Sequence, residues 1–170
     1  MKIAFIGYMG AGKSLWASNL AAKLGLVMID LDVYLQTHYL DDTISNFIGK
    51  KGELAFRKLE KEALKSLAAL EGDIVLATGG GTPCYYDNME TLNANFFTVY
   101  LNSTIKTLSN RLRTEKQHRP LISHLEDSEL DEFIAKHLFE RRFFYSQAKV
   151  VLNENHHELA SILKILPPQV

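Results

Sequence analysis

The sequence predicts one α/β domain, a parallel sheet with helices on both faces. Three observations lead there: short apolar runs alternate with segments of helical period, the first run opens directly into a glycine-rich loop, and 170 residues suit one domain. No internal repeat, low-complexity tract or linker divides the chain.

Residues 3–6 are an apolar run closed by glycine, the pattern of a strand buried on both faces. From residue 13 to 24, Leu15, Trp16, Leu20, Ala21 and Leu24 recur at helical spacing, and Gly25 is placed to end the helix. Residues 26–29 read as a second strand, and 31–40, 43–48 and 53–70 as helices. The last of these carries Phe56, Leu59, Ala63, Leu67 and Leu70 at steps of three and four. Strands are expected at 74–77 and 96–101, separated by Gly79-Gly80-Gly81 and a short helix near 88–92. A helix over 104–112 precedes a charged, polar stretch, 113–128, that reads as a mobile loop and a candidate lid. A long helix over 128–145 with its cap at Ser128, a strand at 150–152 and a helix over 156–166 complete the chain.

Composition narrows the partners. Nineteen Lys and Arg against twenty Asp and Glu leave a net charge of -1, so bulk charge attracts neither nucleic acid nor an anionic membrane. An anionic ligand must be caught locally. The single cysteine, Cys84, excludes an internal disulfide and fits a reducing compartment. No apolar run approaches the roughly 20 residues that cross a bilayer, and the apolar start is too short for a signal peptide. A cytoplasmic monomer is the expectation.

Gly7-Tyr8-Met9-Gly10-Ala11-Gly12-Lys13-Ser14 fits the G-x-x-x-x-G-K-[ST] phosphate loop, between a predicted strand and a predicted helix as that motif requires. Its glycines let successive N–H groups converge on phosphate oxygens at a helix N-terminus, Lys13 reaches the outer phosphates, and the Ser14 hydroxyl suits Mg²⁺. Leu15 stands where many such loops carry a second hydroxyl. Asp30 and Asp32 follow the second strand, at the sheet edge where ligands of open parallel sheets bind. One carboxylate can face Mg²⁺ and the other an acceptor hydroxyl, although an N-cap is the ordinary job of Asp there. Arg57 and Glu60 lie one helical turn apart, so they can pair and fix the guanidinium toward an anion, or simply pair on the surface. Gly79-Gly80-Gly81 offers backbone donors without side chains. Arg119-Pro120 sits in the candidate lid, and Arg141 on the last turns of the long helix is a fixed cation or part of a solvated face. His156-His157 is assigned to the surface, Cys84 to packing, and Phe143-Phe144-Tyr145 to core and pocket wall.

Taken together, Gly7 to Ser14, Asp30-x-Asp32, Phe56-Arg57-x-x-Glu60, Thr78-Gly79-Gly80-Gly81, Arg119-Pro120-Leu121 and Glu140-Arg141 with Tyr145 resemble the shikimate kinase family over essentially the whole chain. The resemblance implies ATP-dependent phosphorylation of the 3-hydroxyl of shikimate in the pathway to aromatic amino acids. It also implies a P-loop, nucleoside-monophosphate-kinase-like fold with five parallel strands in the order 2-3-1-4-5, an acceptor-binding region at about 31–61 and a lid at about 113–127. Asp32 would contact the acceptor hydroxyls, Arg57 and Arg141 the shikimate carboxylate, and Gly79, Gly80 and Gly81 the same pocket. Gly10, Ala11, Gly12, Lys13, Ser14 and Leu15 would hold ATP, Ser14 and Asp30 the Mg²⁺, and Arg119 would be the lid arginine over the phosphates. Adenine falls to Arg111 or Arg113, with Arg113 taken as the cofactor-binding residue. The nucleotide half alone would equally suit a kinase of gluconate, a nucleoside monophosphate or adenylyl sulfate, or a nucleotide-dependent regulatory module. Two arginines and three glycines favour a small hydroxylated carboxylate.

Overall fold

The computed structural model describes residues 1–118 and 121–167 of the chain. Five strands, β1 (Lys2–Ile6), β2 (Val27–Asp30), β3 (Ile74–Ala77), β4 (Phe97–Asn102) and β5 (Val150–Asn153), form one parallel sheet in the order β2-β3-β1-β4-β5. β1 is central, with Lys2 opposite Ile74 of β3 and Ile3 opposite Phe97 of β4. Its residues Ile3, Ala4, Phe5 and Ile6 are all fully buried, which is why the run shows no polar alternation. Among the described residues eight helices accompany the sheet: α1 (Lys13–Leu24), α2 (Leu31–His38), α3 (Ile44–Lys51), α4 (Glu53–Ala69), α5 (Asn88–Asn95), α6 (Ile105–Glu115), α7 (Asp127–Tyr145) and α8 (Leu159–Ile165). α1 packs on β1, β2, β3 and α8, whereas α4 packs on α2, α3 and α5, and α7 on α6.

Strand order positions the site. β1 hands the chain outward to β2, while its neighbour β3 hands it across to β4 on the other side. Loops leaving the carboxyl ends of these two adjacent strands therefore diverge and open a crevice between them, as expected at a switch point of an open parallel sheet. Those loops are residues 7–12 and 78–81.

Three expectations are corrected. The stretch from 113 begins as helix, because α6 continues to Glu115 and a 3₁₀ turn, Lys116–His118, follows. Leu108 and Leu112 bury the α6 stripe and Thr104 caps its start, so good helix formers such as Arg113 and Glu115 extend an element already anchored. Ile122, expected in a mobile loop, is fully buried. α7 is capped at Glu126 rather than Ser128: Glu126 and Glu129 form a reciprocal capping box, with Glu126 N–H donating to Glu129 Oε2 at 2.8 Å. The last helix starts at Leu159, since a 3₁₀ turn, Glu154–His156, intervenes, and the His157 ring is engaged with the Leu152 carbonyl at 2.8 Å.

Candidate active site

The loop after β1 needs backbone that only glycine adopts readily, with φ of +78° at Gly10 and +93° at Gly12. Gly12 is the N-cap of α1 and carries no side-chain cap. The first N–H groups of α1 are thus left to a ligand in the crevice, at the positive end of the helix dipole. Ala11 is fully buried beneath the loop. Lys13 is 8% exposed, and its Nζ donates to the carbonyls of Gly7 and Tyr8 at 3.0 Å each, which holds a cation inside the curl. The crevice is a cavity of about 630 Å³ bordered by this loop, by Ser14 and Leu15, by Asp30 and Asp32, and by Thr78, Gly79 and Gly80.

The two carboxylates divide their work. Asp30 Oδ1 is the N-cap of α2, accepting from the N–H groups of Asp32 at 3.1 Å and Val33 at 3.5 Å. Its Oδ2 accepts from the Ser14 hydroxyl at 2.6 Å. The capping role open to either aspartate thus falls to Asp30, and Asp32 is free to face the cavity. Asp32 opens onto the cavity, and the protein packed around it pushes its carboxyl up to about 6. Burial is the largest cause, followed by the charges of Asp30 and Glu60, with Lys13 and Arg57 pulling the other way.

On the far side of Asp32, Gly79 is a meeting point. A β-carbon there would stand 3.0 Å from Asp32 Oδ1 and from Thr82 Oγ1, and 3.1 Å from Glu60 Oε1. One at Gly80 would stand 3.2 Å from Met9 N, so this glycine strap lies directly against the phosphate loop. Arg57 Nη1 donates to Glu60 Oε2 at 2.8 Å, while its Nη2 and Nε donate to Glu53 Oε1 at 3.0 and 3.3 Å. The guanidinium carbon lies 4.4 Å from the centroid of the Tyr85 ring. Burial works against the charge of Arg57, yet Glu60 and Glu53 raise its pKa overall. Arg141, one turn before the C-terminus of α7, brings Nη1 to 3.8 Å from a β-carbon built on Gly80. Tyr145, fully buried, donates its hydroxyl to the Gly80 carbonyl and fixes the strap from behind. Two guanidinium groups thus flank consecutive glycines beside one carboxylate, a set complementary to a hydroxylated anion.

At the other end of the cavity Arg111 Nη1 donates to the Gly10 carbonyl at 3.0 Å, and Trp16, Glu115, Glu154 and His157 complete the wall. Arg113 is not brought here: its Nη2 pairs with Asp131 of α7 at 3.0 Å. His157, assigned to the surface, is half-buried and borders the cavity, because its ring reaches back to the Leu152 carbonyl. Arg119 and Pro120 lie outside the described residues. Cys84 is packed, and burial pushes its thiol up to about 11. Sequence reasoning missed Glu53, whose signal was available in its i, i+4 spacing to Arg57; it also missed Thr82, Tyr85 and Trp16, for which no local pattern speaks.

Among the described residues no cluster of three or more His, Cys, Asp or Glu could hold a metal alone. The Ser14 hydroxyl and the Asp30 carboxylate are hard oxygen donors side by side, and that pair suits Mg²⁺, which keeps several waters and shares its shell with phosphates. No helix of the described residues is long and apolar enough to cross a membrane.

Comparison with known proteins agrees with this geometry. A family model described as shikimate kinase matches residues 9–167. The chain is 39% identical over 169 residues to the shikimate kinase of Azobacteroides pseudotrichonymphae genomovar. CFP2, covering 99% of each. It is 41% identical over 158 residues to that of Bacteroides thetaiotaomicron, covering 93% of this chain and 89% of the relative. Among solved structures, it is similar to a shikimate kinase crystal structure from Bacteroides thetaiotaomicron, with a TM-score of 0.88, 39% identity, and 97% and 96% of the two chains covered. It is also similar to the shikimate kinase from Acinetobacter baumannii in complex with shikimate, with a TM-score of 0.82, 30% identity, and 95% and 87% covered.

Proposed function

The chain belongs to the shikimate kinase family, and on that premise we propose how its residues carry the γ-phosphoryl group of ATP to the 3-hydroxyl of shikimate. The observation that carries the reading is the meeting of Asp32, Arg57 and Arg141 around Gly79 to Gly81, against the phosphate loop. It is an ATP-dependent phosphotransferase with an alcohol acceptor.

Shikimate carries one carboxylate and three hydroxyls. Arg57 and Arg141 take the carboxylate, and Gly79, Gly80 and Gly81 belong to the same pocket, their missing side chains letting Asp32, Arg57 and the phosphate loop close in on the strap. Asp32 then orients the 3-hydroxyl and accepts its proton as the phosphoryl group arrives, a task that suits a carboxylate with a raised pKa. Transfer is direct and in line, because phosphoryl transfer asks chiefly for alignment and charge neutralisation. The N–H groups of Gly10, Gly12 and Lys13 cradle the phosphates, Ala11 shapes the loop by donating its own N–H to the Tyr8 carbonyl at 3.1 Å, the Lys13 ammonium faces the outer phosphates, and Leu15 lines the pocket beyond them. Mg²⁺, held by Ser14 and through water by Asp30, would neutralise charge on the phosphate oxygens when bound. Arg119 is carried over from the family motif as the cation of a lid at about 113–127. In place of Arg113, Arg111 borders the base end of the cavity. A cytoplasmic monomer of one kinase domain, with its acceptor-binding region at about 31–61, completes the reading.

The deciding experiment measures ADP formation with ATP and Mg²⁺, with and without shikimate, and with gluconate and a nucleoside monophosphate as rival acceptors. Turnover that depends on shikimate supports the reading, and equal turnover with another acceptor overturns it.

A further inference from the structure

Thr82 opens a 3₁₀ turn, Thr82–Cys84, directly after the glycine strap; it is fully buried and does not border the cavity. Its hydroxyl donates to Glu60 Oε1 at 2.6 Å. Glu60, also fully buried, accepts from Arg57 Nη1 through its other oxygen at 2.8 Å. Thr82 itself is fixed by its backbone: its N–H donates to the Gly79 carbonyl at 3.3 Å, and its carbonyl accepts from Asn88 Nδ2 at 2.9 Å. A hydroxyl rooted in the strap therefore reaches the arginine through one carboxylate.

We propose that Thr82 is a positioning residue for acceptor recognition, its hydroxyl setting the plane of the Glu60 carboxylate and through it the plane of the Arg57 guanidinium. The inference rests on the reading of Arg57 as a shikimate carboxylate ligand. A carboxylate held by a single donor turns easily about its last torsion, which has a broad, two-fold profile. A second donor on the opposite oxygen removes that freedom. The other carboxylate on Arg57 cannot do this job as well: the Glu53 side chain is 50% exposed, whereas that of Glu60 is 0% exposed. A guanidinium is directional, and a bidentate grip on a carboxylate is lost when its plane tilts.

The test is a kinetic comparison of Thr82→Val and Thr82→Ser with the unmodified enzyme, each also made with Arg57→Lys. Valine keeps the shape, removes the donor and leaves Glu60 Oε1 buried without it. The expected result is a rise of about tenfold or more in the KM for shikimate, with kcat and the KM for ATP within about threefold. Thr82→Ser should restore the KM, and the effect of Thr82→Val should shrink on the Arg57→Lys background, where no fork remains to be oriented. If Thr82→Val proves insoluble, Thr82→Ala removes the same donor and carries the same comparison. An unchanged shikimate KM in the valine or alanine variant overturns the inference, and so does an equal rise in both KM values or a serine variant as impaired as valine. Arg57→Lys with an unaltered shikimate KM would instead sink the reading of Arg57, and this inference with it.

Discussion

Gly81 faces Arg57 so closely that a β-carbon on it would stand 2.5 Å from the Arg57 Nη2 and 2.7 Å from the guanidinium carbon. No side chain fits between them while the arginine keeps its pair with Glu60.

The Gly81→Ala variant should therefore push the guanidinium off its partner and weaken acceptor binding, raising the KM for shikimate roughly tenfold or more, in the range of other lost buried charge contacts. The KM for ATP should hold. Gly49 is the contrast: it lies within α3, and a β-carbon there would meet nothing within 4 Å. Gly49→Ala should raise stability by about 0.5–1 kcal/mol, read from urea melts, because glycine in a helix interior carries an entropic penalty. A destabilised Gly49→Ala would contradict the open surroundings.

Asp32→Asn should lower kcat by about 10²- to 10⁴-fold, the usual contribution of a positioned base, with ATP binding little changed. Stability should move the opposite way. Because folding raises this carboxyl from 3.8 to about 6, the folded state favours its protonated form. That contribution is fully present below the unfolded pKa and is lost as pH rises through about 6. A neutral asparagine escapes the penalty, so the variant should melt higher than the unmodified protein at pH 7.5 and lose this advantage toward pH 4.

The same carboxyl sets a pH profile. A base must be ionised to accept a proton, so kcat/KM for shikimate should rise with pH through about 6 and level off above it. A profile flat down to pH 5 would mean that another group takes the proton.

Arg57 and Arg141 should separate affinity from stability. Removing Arg57 leaves Glu60 fully buried without its cation, a loss of about 3–5 kcal/mol in comparable buried pairs. Arg141 makes no ion pair among the described residues. Arg57→Gln should thus lower both shikimate affinity and the melting temperature, whereas Arg141→Gln should lower affinity by about 2 kcal/mol or more and leave the melt nearly unchanged. Equal melting shifts in the two variants would undo this distinction.

Ser14→Ala removes the hydroxyl that donates to Asp30 and is placed for the metal. Its turnover should need several-fold more Mg²⁺ to reach half-maximum, and a chelator should abolish turnover in both proteins. An unaltered Mg²⁺ requirement would remove Ser14 from the metal site.

Local spacing alone determined the strand-to-helix alternation, the phosphate loop between β1 and α1, and the placement of Asp30 and Asp32 at a strand end, because each is a relation among residues within a few positions of one another. Which aspartate caps α2 and which faces the cavity was a matter of geometry, decided when Asp30 reached both Ser14 and the first N–H groups of the helix. Arg111 and Arg113 differ by two positions and so point to opposite sides of α6. Only the packing of α6 against α7 turned one toward Gly10 and the other toward Asp131. The chain of Thr82, Glu60 and Arg57 joins residues up to 25 positions apart, and no period in the sequence encodes it. It exists because the switch in strand order sets the loops of β1 and β3 side by side, and α4 lays two charged side chains under them.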